Sequence, residues 1–322
     1  LMLNLVSAGP ANPVVPDNEK QVISFKAWLS VLRKEALAKG ISEETLNKTL
    51  PFIKPPIKKV VKLDRNQPEF KLTFEQYLNR VVPASRVKQG RKLLKKYHKL
   101  LSAIEAKYGV QARFLIAFWG METSYGRLTG GFNALDALAT LAYDGRRAKY
   151  FRRELINALK IIDAGHVEPK NMTASWAGAM GQTQFMPSTF LSYATDFNGD
   201  GKINIWHDVA DALASGANYL SSIGWNHKRT WGREVLLPKN MDKSLISLKV
   251  KKKIAQWQQL GVRRVSGEDL PRVAIDASII QMDDKIGRAY MVYDNYRAIM
   301  DWNRSMNFAT AVGILSDKIG GR

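Results

Sequence analysis

Apolar side chains recur every three or four residues through most of this 322-residue sequence. Clear examples begin at Phe25, Leu155 and Val209, and in each stretch the apolar residues fall on one face of a helix. Short segments with alternating or β-branched residues appear only after Trp231, in "EVLLP", "RVAIDAS" and "AYMVY". The pattern predicts a mainly α protein with one small α/β part.

Helix limits follow from the same spacing. Predicted helices cover about 85–107, 111–121, 133–142, 146–164, 209–223, 294–301 and 307–318. Thr73 and Gln76 fit a capping box that opens a further helix. The segment "SLKVKKKIAQWQQLG" (247–261) predicts a helix between the strand-like segments.

Changes in hydrophobic spacing and composition along the sequence divide the chain into five parts. They are an extended leader (1–18), an N-terminal helical subdomain (19–71), a core (72–232) with an EF-hand-like loop at 196–211, a small α/β insertion (233–283) and a return to the core (284–322). The leader resembles the tail of a clipped signal peptide, and an ordinary disordered start fits it as well.

Charge and cysteine content limit the function. The formal net charge is +20, and the chain has no cysteine, which excludes disulfides, thiol nucleophiles and thiolate zinc sites. No apolar run approaches the roughly 20 residues that span a bilayer. The positive field attracts polyanions such as nucleic acid, anionic lipid or an acidic cell-wall polymer, and solvated helix faces explain it equally.

The stretch "FLIAFWGMETSYG" (114–126) places one carboxylate, Glu122, after eight apolar or glycine residues. A buried carboxyl group holds its proton to higher pH than a solvated one, as a general acid for glycosidic bonds requires. Trp119, Met121 and Tyr125 supply an apolar wall for such a group. The alternative is a glutamate at a helix end that simply reaches solvent.

The stretch "SWAGAMGQTQFMPST" (175–189) is the second candidate. Its glycines and alanines permit close backbone approach, and Ser175 and Gln184 stand beside Trp176 and Phe185. Hydrogen-bonding groups next to flat apolar surface are typical of a carbohydrate groove. Tight internal packing explains the small residues as well.

Five stretches together resemble the membrane-bound lytic transglycosylase B (MltB) family of murein-cleaving enzymes. They are "GMETSYG", "ALDALATLAYDGRRAKYFRREL", "SWAGAMGQTQFMPSTF", "DFNGDGKINIWHDVADALASGANYL" and "YRAIMDWNRSMNFATAVGIL". The resemblance covers most of the chain from about Phe25. It implies a lysozyme-like helical core with Glu122 as the only catalytic carboxylate.

The resemblance also assigns roles to other side chains. Ser175 matches a serine that orients the catalytic carboxylate, and Gln184 matches a saccharide-binding glutamine. Tyr77, Tyr219 and Asn303 match groove-lining residues. Trp302 and Phe308 stand where some members have tyrosines, so stacking is retained there without a hydroxyl group.

The loop "DFNGDGKINIWHD" carries the early features of a calcium-binding EF-hand. Asp196, Asn198 and Asp200 stand at positions 1, 3 and 5, and Lys202 offers its carbonyl at position 7. Position 12 is His207, so the loop departs from the standard pattern. The resemblance makes Asp211 the last carboxylate, with Asp208 as a second candidate, and any ion here would be structural. A turn tied by Asx hydrogen bonds is the alternative.

The implied activity is non-hydrolytic cleavage of the bond between N-acetylmuramic acid (MurNAc) and N-acetylglucosamine (GlcNAc) in periplasmic peptidoglycan, without a catalytic cofactor. Glycan strands are the implied partner, with other cell-wall enzymes as further candidates and no nucleic acid. A lipobox needs a cysteine, and no apolar run is long enough to span a bilayer. We therefore expect that any membrane association uses neither a lipobox nor a transmembrane helix of this chain. The rivals are a lysozyme- or chitinase-type hydrolase using the same Glu122, and a non-catalytic basic protein that binds the cell wall or nucleic acid.

Overall fold

Helices dominate a computed structural model that describes residues 23–54, 56–65, 72–144, 146–283 and 287–321. This confirms the prediction of a mainly α protein. The chain divides into two compact units, each built from two segments. Unit 1 comprises residues 1–69 and 119–219, and unit 2 comprises residues 70–118 and 220–322. The predicted leader (1–18) lies outside the described residues.

The helices are numbered in chain order. They are α1 (Phe25–Ala38), α2 (Glu43–Thr49), α3 (Lys58–Arg65), α4 (Phe74–Val81), α5 (Ala84–Lys96), α6 (His98–Tyr108), α7 (Ala112–Thr123), α8 (Ala134–Asp144), α9 (Ala148–Asp163), α10 (Pro187–Tyr193), α11 (Val209–Ser222), α12 (Ile254–Gln259), α13 (Asp294–Trp302) and α14 (Met306–Ile319). Most predicted helices are confirmed to within a few residues, and α4 opens with the predicted capping box of Thr73 and Gln76.

The strands are short. They are β1 (Phe132–Asn133), β2 (Thr173–Ala174), β3 (Gly232–Leu236), β4 (Lys252–Lys253), β5 (Arg263–Arg264), β6 (Asp276–Gln281) and β7 (Ala289–Val292). In unit 1, β1 and β2 form an antiparallel pair. In unit 2, the other strands form an antiparallel sheet in the order β4-β6-β7-β3-β5.

Unit 1 is organised around α8. Every residue from Ala134 to Ala142 is buried, so this helix lies inside the unit. Helix α9 packs against it, and the predicted apolar face of α9, which includes Leu155 and Leu159, is buried. Helix α10 packs on α9 in turn. This helical support carries the loops that precede and follow α10.

Unit 2 contains the predicted α/β part. Its core is centred on Trp257 of α12, which is fully buried and donates its indole N–H to the carbonyl of Ala277 at 3.0 Å. Strand β7, which follows residue 283, lies between β6 and β3. Residues on both sides of the expected boundary therefore build this sheet.

Two helix predictions are wrong in detail. The basic helix expected at 85–107 is broken into α5 and α6, because the backbone at Tyr97 turns out of the helical region (φ −99°, ψ 19°). The helix expected at 247–261 is only α12. Lys252 and Lys253 pair with β6 as a strand, and the Lys253 N–H donates to Gln256 Oε1, which starts the helix at Ile254.

Among the described helices, none is both long and apolar enough to cross a membrane.

A surface contact in unit 1 makes stability depend on pH. The backbone N–H and hydroxyl of Ser42, the N-cap of α2, donate to the Asp163 carboxylate at the end of α9, and these bonds hold the pKa of Asp163 below its ordinary value. A lowered pKa means that the stabilisation by this contact is fully present above the ordinary aspartate pKa of about 4 and is lost as the pH falls through the lowered pKa.

We therefore expect Asp163→Ala to lower the free energy of unfolding by about 1 kcal/mol or less at pH 7, since the contact is exposed. The difference from wild type should vanish as the pH falls through the lowered pKa. Thermal unfolding of both proteins between neutral and acid pH measures this. Glu168→Ala, which removes another exposed carboxylate of unit 1, is the control, and equal effects of the two changes would contradict the assignment.

Candidate active site

Glu122 lies in the last turn of α7, which ends at Thr123. Its side chain is buried, with 4% of the residue exposed. The alternative that this glutamate simply reaches solvent is therefore wrong. The predicted apolar wall is present in the same segment, because Trp119, Met121 and Tyr125 are also buried.

The backbone after Glu122 turns sharply. Ser124 and Tyr125 both adopt left-handed conformations, with φ of 50° and 65°. Side chains other than glycine rarely take this conformation, and each instance costs on the order of 1–3 kcal/mol. The turn brings the Tyr125 ring against Gly120, where a Cβ atom would come within 2.8 Å of the ring. Glycine at 120 is therefore required for this turn.

A buried glutamine, Gln182, connects the catalytic helix to the loop before α10. Its Oε1 accepts the indole N–H of Trp119 at 3.0 Å, and its backbone carbonyl accepts the Thr123 hydroxyl at 3.0 Å. The Thr123 oxygen also accepts the Gly126 N–H at 3.0 Å. Thr123 directly follows Glu122 in the chain, so these bonds fix the backbone that carries the catalytic candidate.

The same glutamine reaches the EF-hand-like loop. Its backbone N–H donates to the carbonyl of Ile205 at 2.9 Å, and its Nε2 donates to the carbonyl of Trp206 at 3.3 Å. Gln182 thus joins three chain segments by hydrogen bonds. We call Trp119, Thr123, Gly126 and Gln182 the glutamine hub.

In the second candidate stretch (175–189), hydrogen bonds of Ser175 close a turn that is made of small residues. Its hydroxyl accepts the Ala179 N–H at 3.1 Å, and its own N–H donates to the Ala179 carbonyl at 2.8 Å. The Gly178 Cα approaches Leu138 of α8 so closely that a Cβ atom would lie 2.4 Å from it. Tight packing is therefore one reason for the small residues. The orienting role of Ser175 stays a prediction.

Gln184 is buried and left-handed, with φ of 52°. Its Nε2 donates to the carbonyls of Thr129 at 3.1 Å and Gly181 at 3.0 Å, which ties this loop to the segment after α7. Tyr219 of α11 is half-buried and contacts the rings of Phe185 and Tyr193. Of the eight expected catalytic and saccharide-binding residues, unit 1 therefore contains four: Glu122, Ser175, Gln184 and Tyr219.

The remaining four belong to unit 2. Tyr77 lies on α4 and is half-buried, and Asn303 is the buried residue that ends α13. Trp302 is half-buried with its ring 4.5 Å from that of Phe118, whereas Phe308 is buried in the core 6.4 Å from Phe118. Trp302 thus keeps a partly exposed aromatic surface. The groove-lining roles of these four residues stay predictions.

The EF-hand-like loop is tied by its own side chains. Asp196 accepts the N–H groups of Gly199 and Gly201, and Asp200 accepts that of Lys202. Asn198 Nδ2 donates to Asp208 Oδ2 at 2.8 Å. The predicted Asx bonds are present, and Asp208 is a later carboxylate that contacts the side chain of Asn198, one of the early candidate ligands.

Asp211 has a different arrangement. One carboxylate oxygen accepts the Phe197 N–H and the other accepts the Asn204 N–H, both at 2.8 Å, so this side chain ties the start of the loop to its middle. Burial raises the pKa of Asp211, and the two backbone donors act against that rise. In the described part of the chain, no group of three His, Asp or Glu side chains is arranged to hold a metal ion.

Sequence reasoning missed the glutamine hub. Gln182 stands two residues before Gln184 in a stretch that was singled out, yet nothing in its spacing shows that its side chain points into the protein. Thr123 lies within the stretch "GMETSYG", and nothing in that stretch shows which partner its hydroxyl group has. Their roles depend on contacts across 59 residues of sequence, which no local pattern encodes.

Comparison with known proteins identifies the same family that the sequence motifs resemble. The family model described as the transglycosylase SLT domain matches residues 24–317. The chain is 33% identical over 254 residues to membrane-bound lytic murein transglycosylase B of Escherichia coli strain K12, and the match covers 76% of this chain and 66% of that protein, just under two thirds.

Solved structures give the same result. SltB3 from Pseudomonas aeruginosa, in complex with NAG-anhNAM-pentapeptide, is 43% identical with a TM-score of 0.90, covering 92% of this chain and 80% of that chain. The Escherichia coli lytic transglycosylase Slt35, in complex with calcium, is 29% identical with a TM-score of 0.78, covering 91% and 92%. These matches confirm the expected fold class, mainly α with a lysozyme-like core.

We predict that Thr123→Val destabilises the protein by about 1–3 kcal/mol. Valine has nearly the shape of threonine but leaves the buried Gln182 carbonyl and the Gly126 N–H without their partner. Thr123→Ser keeps the hydroxyl and is the matched control, with the smaller loss of one methyl group. Urea unfolding compares the three proteins. If the valine variant is as stable as the serine variant, the hub bonds do not stabilise the fold.

Proposed function

Because the chain belongs to the transglycosylase SLT domain family, we propose that it is a lytic murein transglycosylase. It cleaves the MurNAc-β-1,4-GlcNAc bond of peptidoglycan without water and leaves 1,6-anhydroMurNAc ends. The observation that carries this proposal is the buried carboxylate of Glu122 at the end of α7. The anhydro sugar bound to the SltB3 relative, a product of this kind of cleavage, supports it.

The proposed reaction uses Glu122 twice. The protonated carboxyl group first gives its proton to the glycosidic oxygen, and the bond from that oxygen to muramyl C1 breaks. The carboxylate then takes the proton of the muramyl C6 hydroxyl, whose oxygen forms a bond to C1. Glu122 ends protonated as it began, so the cycle consumes no water and needs no cofactor.

The two acidic residues that follow Glu122 in the chain support a mechanism with one catalytic carboxylate. A hydrolase with two carboxylates needs a partner for Glu122. Asp136 is buried and accepts the Lys54 N–H at 2.9 Å, and Asp144 pairs with Arg65 at 2.9 Å. These two acids, the first to follow Glu122, are engaged in holding unit 1 together. Substrate assistance by the N-acetyl group of the sugar fits this arrangement.

A structural calcium ion in the loop is a second part of the proposal. Asp196, Asn198 and Asp200 offer oxygen donors, and Lys202 offers its carbonyl, which are the ligand types that Ca²⁺ prefers. We assign the last carboxylate to Asp208, since it reaches Asn198, and a holding role to Asp211. The calcium complex of Slt35 supports an ion in this family.

Location and partners follow from the substrate. The enzyme acts in the periplasm, where peptidoglycan lies, with glycan strands as its partner. Other cell-wall enzymes stay candidate partners, and nucleic acid has no place in this reaction. Pentapeptide-bearing fragments in the SltB3 complexes support a glycan substrate that carries stem peptides.

The first test is mass spectrometry of muropeptides released from purified sacculi. We expect wild type to release products one water lighter than hydrolytic ones, and Glu122→Gln to release at least about a hundredfold less, because the amide cannot supply the proton. Thr123→Ser is the control, since it alters the adjacent residue and keeps its bonds. Reducing-end products would identify a hydrolase, and no release by wild type would favour a binding protein.

Calcium binding gives a separate prediction. Saturating calcium should raise the thermal stability of wild type, by about 2.7 kcal/mol at a hundred times the dissociation constant. Asp200→Asn should weaken this gain by lowering the charge around the ion. Asp211→Asn should instead destabilise the calcium-free protein, because its amide group faces a backbone N–H.

Calorimetric titration and thermal unfolding, each with calcium or with chelator, measure both effects. The opposite result, in which only Asp211→Asn abolishes binding, would return the last-ligand role to Asp211. Absence of any calcium effect on wild type would show a loop held by its Asx bonds alone.

A further inference from the structure

The exposed side of α5 carries an unusual concentration of positive charge. Residues 76–104 include eight Lys or Arg residues and no Asp or Glu. Five of these cations are exposed on α5, and we call them the α5 cationic face: Lys88, Arg91, Lys92, Lys95 and Lys96. None of the five forms an ion pair with a carboxylate of the described chain.

Another basic cluster of unit 2 differs in this respect. In the segment 249–253, Lys251 pairs with Asp294 at 3.1 Å and Lys253 pairs with Asp276 at 3.0 Å. Those lysines therefore have a partner within the protein. On the α5 cationic face, Arg91 donates to the backbone carbonyl of Lys318 and Lys96 lies over the ring of Tyr97. No carboxylate of the described residues neutralises the five cations, so their positive charge is available to a partner in solvent.

Solubility alone does not explain this arrangement. Lys88 and Lys92 are four residues apart, as are Lys92 and Lys96, and like charges at that spacing destabilise a helix by a few tenths of a kcal/mol per pair. A surface with both signs interspersed would be equally soluble without this repulsion. The buried side of the helix includes Gly90 and Leu93. It packs against other helices of unit 2, chiefly α14, and this packing holds α5 in place despite the charge repulsion.

The face has the dimensions of a polymer site. The five cations of α5 lie between positions 88 and 96, so their attachment points are spread over about 12 Å along one side of the helix. Such a row fits an extended chain of anions better than one small ion. Stem peptides of peptidoglycan present free carboxylates at repeated positions along a glycan strand, and they supply that pattern.

Membrane binding fits the face less well. Interfacial helices insert large apolar side chains beside their cations. None of the large apolar side chains that are exposed in the described residues lies between 84 and 108. On α5, Leu93 is buried and Val87 and Leu94 are half-buried, so the helix exposes no large apolar side chain beside its cations.

We propose that the α5 cationic face binds stem-peptide carboxylates of the peptidoglycan sacculus and so holds the enzyme on its polymeric substrate. The inference rests on the proposed function for the identity of the polymer. None of the five cations belongs to the candidate active site. The face therefore acts on retention at the sacculus, and cleavage of a small soluble fragment does not depend on it.

The test compares two variants with the same net charge in a Glu122→Gln background, where sacculi stay intact. The first changes Lys88, Lys92, Lys95 and Lys96 to Gln, which preserves helix propensity. The matched control changes Lys243, Lys249, Lys251 and Lys253 to Gln. Sedimentation with purified sacculi measures the bound fraction from low salt to about 1 M, where the screening length falls to about 3 Å.

We expect the first variant to bind between about tenfold and a hundredfold more weakly than its parent at low salt, and the control to lose less than about threefold. The difference should vanish at high salt. Sacculi whose carboxylates have been amidated should bind the parent as weakly as native sacculi bind the first variant.

Four results would overturn the proposal. They are equal losses in both variants, no loss in either, undiminished binding to amidated sacculi, and a loss confined to anionic phospholipid vesicles. With Glu122 restored, turnover of a soluble muropeptide dimer tests the proposed function by itself. Wild-type turnover in the first variant places the effect outside the active site, and impaired turnover there would also contradict the proposal.

Discussion

The hydrogen bonds of Gln182 are the interaction on which the candidate site depends. One buried side chain and its backbone join α7, the loop before α10 and the EF-hand-like loop. Glu122 stands beside Thr123, which this hub fixes. A buried carboxyl group can serve as an acid and then as a base only if its backbone stays in place between the two steps. The hub supplies that constraint by fixing the backbone next to Glu122.

The segments around Glu122 adopt backbone conformations and packing that are unfavourable in free energy. Ser124, Tyr125 and Gln184 take left-handed backbone conformations, which side chains other than glycine rarely adopt. Close packing against Gly120 and Gly178 excludes even one additional carbon atom. Both features occur within the two stretches that the sequence marks as unusual. Strain and small residues are placed where the chain must turn near Glu122, and the buried helices α8 and α9 support them.

Much of the fold could be predicted from local pattern. The faces of α9 and α11, the capping box before α4 and the small size of the sheet all follow from residue spacing. Errors occurred where local preference was overruled. Lys252 and Lys253 have a helical context, yet pairing with β6 makes them a strand, and Tyr97 interrupts what reads as one basic helix. The spacing of apolar residues along a helix does not show which strand a segment pairs with or where the backbone turns.

The sequence by itself determined the helical class, the candidate acid and the identity of the family, because periodicity and motifs are local and survive without coordinates. The burial of Glu122 and the bonds of the glutamine hub were decided only by the tertiary structure, as was the separation of roles between Asp208 and Asp211. Each of these depends on which backbone donors and acceptors meet after folding. These contacts and hydrogen bonds join residues that are separated in the chain, and side-chain type alone does not specify them.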